Sequence, residues 1–195
     1  MISKFLKIYF IICIQPVLSA QNFPVSEIYV QYDMTLNFKN IVKYNGELVA
    51  NNEVALFKYK ISDEQSSYNE EYSDSGSNVN VTMVDSVTTY IYINKSTDEI
   101  IESRKGVHSK KSFLIKDKLD IIDWILINET KIINGLLCHK ATCNYKGRTY
   151  SVWYCKDIAS SFGPWKLNGL AGLILEATDQ LGQVSFYAKV IKIPI

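Results

Sequence analysis

The side chains of this sequence best suited to chemistry are three of its four cysteines, Cys138, Cys143 and Cys155, and its two histidines, His108 and His139. Cys138 and His139 are neighbours on a predicted strand, so their side chains point to opposite faces and cannot form a nucleophile–base pair. The set also lacks the ligand spacing of about two to four residues that zinc sites use. We interpret His108 as a solvated residue of a basic loop and His139 as a packed strand residue. The sequence therefore predicts no metal site and no cofactor.

Glu176 and Asp179 are close enough in sequence to suggest an acid–base pair. The simpler interpretation, which we favour, is an outward strand residue followed by an aspartate that begins a turn. The sequence has no Gly-x-Ser-x-Gly elbow, no His-Glu-x-x-His motif and no phosphate-binding loop. We therefore assign no catalytic residue and favour a protein that is not an enzyme. An envelope hydrolase remains an alternative, because a pocket can assemble from residues far apart in sequence.

Three glycines and a proline lie within Gly163–Gly172, and an apolar run follows at once. This pattern is typical of a tightly specified loop that leads into a buried strand, and we call it the signature loop. Its candidate site residues, with either an architectural or a binding role, are Gly163, Pro164, Trp165, Gly169, Leu170 and Gly172. As architecture, the loop should cross one end of a sheet with Trp165 packed against it and with φ positive at Gly169 or Gly172.

The hexapeptide from Gly169 to Ile174 reads Gly-Leu-Ala-Gly-Leu-Ile. It resembles the signature of the GLPGLI family, small secreted proteins of Bacteroidota named for that motif. The segments from Trp124 through 128–132, 138–142 and 147–154 resemble the family's middle blocks, whereas the chain before Trp124 fits only loosely. The resemblance implies the half-barrel fold of periplasmic lipoprotein carriers and brings no established activity. Ala171 departs from the family, which usually has proline there, and should leave the loop looser.

The first twenty residues read as a signal peptide rather than as structure. Lys4 and Lys7 form a short basic start, and residues 8–18 are almost wholly apolar. Ser19 and Ala20 supply small residues, and cleavage can follow either of them. The sequence therefore predicts export to the periplasm, the outer membrane or the outside of the cell.

Residues 21–195 are predicted to form a single β-rich domain. The whole chain has 21 Lys and Arg residues against 20 Asp and Glu residues. This near-neutral balance argues against nucleic acid as a partner. Beyond the signal peptide, no segment reaches the length of about 20 apolar residues that a membrane-spanning helix needs. We therefore predict no transmembrane segment after signal removal.

Alternating apolar and polar residues predict antiparallel β-structure along the domain. The predicted strands cover 28–38, 54–61, 87–93, 99–104, 112–116, 124–127, 136–143, 149–155, 173–178 and 183–190. Turn signals, among them Asn45-Gly46 and Lys146-Gly147, separate the strands. A short helix is compatible with 118–124, and the polar stretch 62–80 is predicted to be a mobile loop. Many short strands and few short helices predict a single curved antiparallel sheet or a partly closed barrel.

The strands around Gly147 can pair in two registers that differ by one residue. A bulged turn would pair Asn144 with Arg148, whereas an even-length loop separates apolar from polar faces better, and we favour it. The even-length register places Cys138 directly opposite Cys155, so a cross-strand disulfide can form in an oxidising envelope. The alternative of three unpaired, buried thiols remains open.

Apolar strand faces and the 13 tyrosines of the chain favour binding as its task. We expect an exported or cell-envelope binding protein without catalytic activity. Its concave face would hold an apolar or extended ligand, such as a lipid, a lipoprotein chain or a peptide. The alternative is an accessory interaction subunit of an outer-membrane uptake or secretion system, which would need an exposed patch for an envelope protein partner and no pocket.

Overall fold

The computed structural model describes residues 27–63, 69–74, 77–82, 87–105 and 111–193, with the backbone alone for 69–74 and 77–82. The predicted signal peptide, residues 1–20, and His108 lie outside the described residues. Within the described residues the strands are β1 (Ile28–Asn37), β2 (Ile41–Ala50), β3 (Val54–Ile61), β4 (Asn69–Asp74), β5 (Ser77–Thr82), β6 (Thr89–Asn94), β7 (Glu99–Lys105), β8 (Ser112–Lys118), β9 (Ile125–Ile133), β10 (Leu136–Tyr145), β11 (Arg148–Cys155), β12 (Leu173–Asp179) and β13 (Val184–Lys192).

Eleven of these strands form one sheet in the order β8-β7-β6-β3-β2-β1-β13-β12-β11-β10-β9, and β4 and β5 form a separate hairpin. Every pairing between neighbours is antiparallel, and helix is almost absent. The sheet is not closed, since β8 and β9 each pair on one side only among the described strands. The predicted fold class is confirmed. No helix in these parts of the chain is long and apolar enough to cross a membrane.

One face of the sheet carries the core, and we call it the inner face. In β1 the residues Ile28, Val30, Tyr32 and Met34 are buried, whereas the residues between them are more exposed. The Tyr32 hydroxyl donates a hydrogen bond of 2.6 Å to the carbonyl oxygen of Ile174 on β12. Because β13 lies between β1 and β12 in the sheet, this bond reaches across the inner face. The sheet is therefore curved.

The protein's own chain fills the middle of the concave side. Residues 156–172 connect β11 to β12, and we call them the β11–β12 loop. Lys166 of this loop lies 2.8 Å from Glu102 on β7, while Trp165 packs edge-on against Tyr145 on β10 at a centroid distance of 5.7 Å. The loop thus touches both sides of the open sheet. Its buried apolar side chains are Ile158, Phe162, Leu167 and Leu170.

The prediction of a turn at Asn45-Gly46 is wrong, because both residues lie inside β2. Gly46 lies opposite Tyr32, and a Cβ placed on it would come within 2.8 Å of the Phe57 ring. This glycine therefore serves close packing of a ring against a strand, a role that glycine also has within sheets. The chain turns instead at residues 38–40.

Two other local predictions need correction. The stretch 62–80, predicted as a mobile loop, contains β4 and most of β5. The segment 119–124 is neither helix nor strand. Ile122 within it is buried, and the Trp124 ring nitrogen donates a 2.9 Å hydrogen bond to the carbonyl oxygen of Asn168. Contacts with the β11–β12 loop therefore decide its conformation, not helical periodicity.

The β10–β11 hairpin has the predicted even-length register. Lys146 and Gly147 both have positive φ, 48° and 78°, as a two-residue type I′ turn requires. The turn closes with Tyr145 opposite Arg148. The register prediction is confirmed, and the competing bulged turn is excluded.

Candidate functional site

Two glycines of the signature loop adopt backbone conformations that other residues rarely adopt. φ is 97° at Gly169 and 151° at Gly172, so the prediction of positive φ is confirmed. A Cβ on Gly172 would lie 2.3 Å from the carbonyl oxygen of Cys155, and a Cβ on Gly163 would lie 2.7 Å from the side chain of Ile174. Only glycine fits at these two contacts, which seat the loop against β11 and β12.

Pro164 and Trp165 form the first turn of the signature loop. Pro164 is buried, and its carbonyl oxygen accepts a 3.2 Å hydrogen bond from the Leu167 backbone. Trp165 has a φ of 57°, which is unusual for a bulky residue and was not predicted. Its ring packs against Tyr145 and Tyr150 at centroid distances of 5.7 and 6.5 Å. The prediction that Trp165 packs against the sheet is confirmed.

Backbone hydrogen bonds hold the loop folded back on itself. The Gly169 amide donates to the Ser161 carbonyl oxygen at 2.7 Å, and the Ile174 amide donates to the Phe162 carbonyl oxygen at 3.1 Å. These bonds join the first part of the loop to its last part and to the start of β12, so the loop has a defined conformation. A fixed loop can position binding groups.

An open cleft of about 460 Å³ lies beside this loop, next to the β2–β3 and β6–β7 turns. Among the predicted signature residues only Leu170 and Gly172 line it, and the other four pack elsewhere. We call it the lysine cleft. Its lining residues are Asn52, Lys95, Lys156, Ile158, Ala159, Ser160, Ser161, Leu170, Ala171 and Gly172.

The two lysines make the cleft positively charged, and no acidic side chain of the described residues lines it. Lys95 donates a 2.8 Å hydrogen bond to the Ser161 hydroxyl, and its ammonium lies 5.6 Å from the Phe162 ring centroid. The Lys156 ammonium lies 5.9 Å from the Tyr154 ring centroid. Both cations are thus placed by aromatic rings, within the range of cation–π attraction.

Apolar side chains complete the cleft. Ile158 and Leu170 are both buried and line it. Ala159 and Ala171 also line it and are exposed, so they are the apolar side chains that an occupant of the cleft would contact. Sequence reasoning missed Lys95 and Lys156, because Lys95 belongs to a turn far from the signature loop and only the curvature of the sheet brings the two together.

A second cleft of about 510 Å³ lies at the other strand ends, where Ser62 has a buried hydroxyl without a hydrogen-bond partner in the described residues. It contains no signature residue. Its lining residues are Asp33, Met34, Thr35, Lys43, Tyr44, Asn45, Ser62, Asp63 and Lys189.

The two carboxylates considered as an acid–base pair are separated by the sheet. Glu176 forms an ion pair with Lys131, whereas Asp179 is buried and accepts hydrogen bonds from the Gln183 and Val184 amides at 2.6 and 2.9 Å. Residues three apart on a strand face opposite sides. The interpretation of Asp179 as a turn-initiating residue is confirmed, and neither carboxylate lines a described cleft.

Cys138, Cys143 and Cys155 are buried, and no disulfide joins them in this structure, so the Cys138–Cys155 bond stays a prediction. Across the described part of the chain, no group of three or more His, Cys, Asp or Glu residues could hold a metal ion. The His139 ring lies 6.0 Å from the Tyr154 ring, as predicted for a packed histidine.

No family model and no curated protein matches this chain. Two solved structures of PNGF-II, in the P21 and C2 space groups, match its fold with TM-scores of 0.57 and 0.58 at 16% and 17% identity. Each match covers 87% of this chain but only 29% and 28% of the PNGF-II chains. This chain therefore spans less than a third of their length, and the likeness concerns the fold alone.

Proposed function

We propose that this protein is an exported binding protein of the GLPGLI type without catalytic activity. Its ligand is an extended apolar chain that ends in a carboxylate, bound in the lysine cleft. The observation that carries this proposal is the placement of Lys95 and Lys156 in one cleft with the exposed apolar residues Ala159 and Ala171. Export rests on residues 1–20, whose basic start and apolar run fit a signal peptide.

The occupied inner face favours the cleft over the concave core as the binding site. Phe162 and Leu167 of the β11–β12 loop are fully buried there, so a ligand in the core would have to displace them. The cleft needs no such displacement, and its volume of about 460 Å³ falls within the range of about 300–1,000 Å³ typical of ligand sites.

The chemistry of the cleft favours a carboxylate on an apolar chain. An ammonium group attracts an anion, and Lys156 lies at the start of the loop, in contact with solvent. The hydroxyls of Ser160 and Ser161 add polar groups near Lys95. Ala159 and Ala171 line the cleft and are exposed, so they supply the apolar contact, worth about 25 cal/mol per Å² of apolar surface removed from water.

A fatty acid and the free C-terminus of an apolar peptide share this chemistry. Purification of the full chain from its own cell envelope, followed by native mass spectrometry and solvent extraction, distinguishes them. A co-purifying lipid acid supports the first source, and a peptide with a free C-terminus supports the second. A chain retained in the cytoplasm would refute export. A protein that neither carries nor binds a fatty acid or a peptide with a free C-terminus would refute the proposed role of the cleft.

The exposed edges of the sheet favour a second candidate, an accessory subunit that contacts an envelope protein. Leu114 on β8 is 76% exposed, and Ile125, Leu126 and Ile132 on β9 are 63–65% exposed. Edge strands with apolar side chains are sites where another chain can pair. Cross-linking in intact envelopes tests this: a stoichiometric protein partner linked through β8 or β9 favours this candidate over the cleft.

A further inference from the structure

Cys138 and Cys155 face each other at the open end of the β10–β11 hairpin. Because the turn has two residues, Tyr145 and Arg148 form a hydrogen-bonded pair of the ladder. Along the hairpin away from the turn, non-hydrogen-bonded and hydrogen-bonded pairs then alternate. Seven steps from Tyr145, the cysteine pair is of the non-hydrogen-bonded kind. In such pairs the Cα atoms lie about 4.5 Å apart, which is within the range of disulfides.

Cys143 cannot take the place of either partner. It lies opposite Tyr150, on the inner face. Its separation of five residues from Cys138 puts the two side chains on opposite faces of β10. The hairpin therefore presents one pair of thiols and one single thiol.

We propose that Cys138 and Cys155 form a disulfide when the chain folds in an oxidising compartment, and that Cys143 stays a free thiol. Each of the two thiols loses its proton, and a bond forms between the sulfur atoms. The two electrons pass to the disulfide of a dithiol–disulfide oxidoreductase or of glutathione, which is reduced to two thiols. In the cell this step rests on the proposed export, since the cytoplasm keeps thiols reduced.

Burial makes the order of events part of the inference. Neither Cys138 nor Cys155 has exposed surface. Burial, and then the nearby Cys155, raise the pKa of Cys138 to about 12, so the folded protein holds almost no reactive thiolate there. The bond therefore forms while the hairpin is still accessible. A hairpin is local, so its two strands can pair before β12 covers Cys155.

The bond would also fix the base of the signature loop. The carbonyl group of Cys155 is the surface against which Gly172 packs, and Lys156 of the lysine cleft is the next residue. A disulfide at Cys155 would anchor the residue that precedes the β11–β12 loop. Gly172, at the other end of the loop, packs against that same residue. The disulfide thereby links the oxidation state of the hairpin to the shape of the cleft.

Refolding of the purified full chain in a glutathione redox buffer tests the pairing without depending on export. The product is denatured without reductant, alkylated with iodoacetamide and mapped by mass spectrometry. We expect one alkylated cysteine, Cys143, and one linked peptide pair that joins Cys138 to Cys155. Alkylation of all three residues, or a bridge that includes Cys143, would overturn the proposal.

Matched variants distinguish the effect of the disulfide on stability from the effect of removing a thiol. Cys143→Ser should keep the linked pair and the decrease in melting temperature that a reductant causes. The double variant with Cys138→Ala and Cys155→Ala should melt at the same temperature with and without reductant. If the melting temperature of the wild type were the same with and without reductant, the inference would be contradicted. If the bridge forms in vitro but is absent from envelope-purified protein, export fails and the pairing stands.

Discussion

The ammonium of Lys166 lies 2.8 Å from the carboxylate of Glu102, which is only 6% exposed. Glu102 comes from β7, beside the edge strand β8, and Lys166 comes from the signature loop. The next residue back, Trp165, packs on Tyr145 at the other side of the opening. Two consecutive loop residues thus tie the two halves of the open sheet together.

Lys166→Met should destabilise the protein by about 1–3 kcal/mol, because it removes the ammonium group that pairs with the buried carboxylate of Glu102. Glu102 retains Arg104, whose side chain is 55% exposed, and this limits the loss. The control is Lys118→Met, since the Lys118–Asp98 pair is largely exposed and should contribute less than about 1 kcal/mol. Urea unfolding at low salt measures both, because an uncharged denaturant does not screen the ion pairs. Equal losses in the two variants would show that the Glu102 pair does not tie the loop to the sheet.

Gly172→Ala should be among the most damaging small substitutions in this chain. It combines a positive φ with a Cβ at 2.3 Å from the Cys155 carbonyl oxygen, so the backbone must shift. Gly182→Ala is the matched control, because φ is 63° there and nothing lies within 4 Å of the new Cβ. We expect the free energy of unfolding to fall by about 1 kcal/mol for the control and by clearly more for Gly172→Ala. If Gly172→Ala folds normally but loses ligand, the loop is a binding element rather than architecture.

Ala171→Pro should stabilise the protein by about 0.4–1 kcal/mol. The Gly172 amide donates a 2.9 Å hydrogen bond to the Leu170 carbonyl oxygen, so Ala171 is the centre of a three-residue turn. Its φ is not positive, and the turn of this kind has a φ of about −75°, close to the value that proline fixes. A lower melting temperature for the variant would show that the loop geometry does not suit proline.

Acid should weaken the contact of Asp120 with the β10–β11 turn. Asp120 accepts hydrogen bonds from Lys146 at 2.6 Å and from the Tyr145 hydroxyl at 2.9 Å. The bond from Lys146 is the main reason that the pKa of Asp120 lies below its usual value. A carboxyl with a lowered folded-state pKa stabilises the protein above its unfolded pKa of about 3.9, and this contribution is lost as the pH falls through the folded pKa.

The expected result is that wild-type stability falls more steeply than that of Asp120→Asn between about pH 6 and about pH 2. The asparagine keeps the shape of the side chain and cannot titrate. Unfolding free energies at several pH values give the comparison. Parallel profiles for the two proteins would mean that Asp120 contributes no pH-dependent stability.

The sequence predicted what depends on local alternation and on turn chemistry. The strand pattern, the hairpin register around Gly147 and the positive φ of Gly169 and Gly172 all follow from neighbours in the chain. β2 was missed because Asn45-Gly46 has the composition of a turn, whereas Gly46 makes room for the Phe57 ring. That contact comes from the next strand, and local sequence does not record it.

The lysine cleft could not be predicted for the same physical reason. Its cations come from a turn before β7 and from the end of β11, and the curvature of an eleven-stranded sheet brings them together. Trp165 likewise has a positive φ that its own side-chain type disfavours. Packing on Tyr145 and Tyr150 accounts for it, and that packing is a property of the folded sheet.

The most direct test of the binding proposal is calorimetric titration of purified protein with decanoate, with a short apolar peptide, and with their neutral methyl ester and amide. The wild type should bind the acids better than the neutral forms. Lys156→Ala should weaken the binding of the acids by about two- to fivefold, as expected for the loss of one exposed charge contact. Lys192→Ala is the control, because its ammonium also lies near a tyrosine ring, 5.5 Å from that of Tyr29, but outside the cleft. Equal affinity for acids and neutral forms, unchanged by Lys156→Ala, would contradict the account.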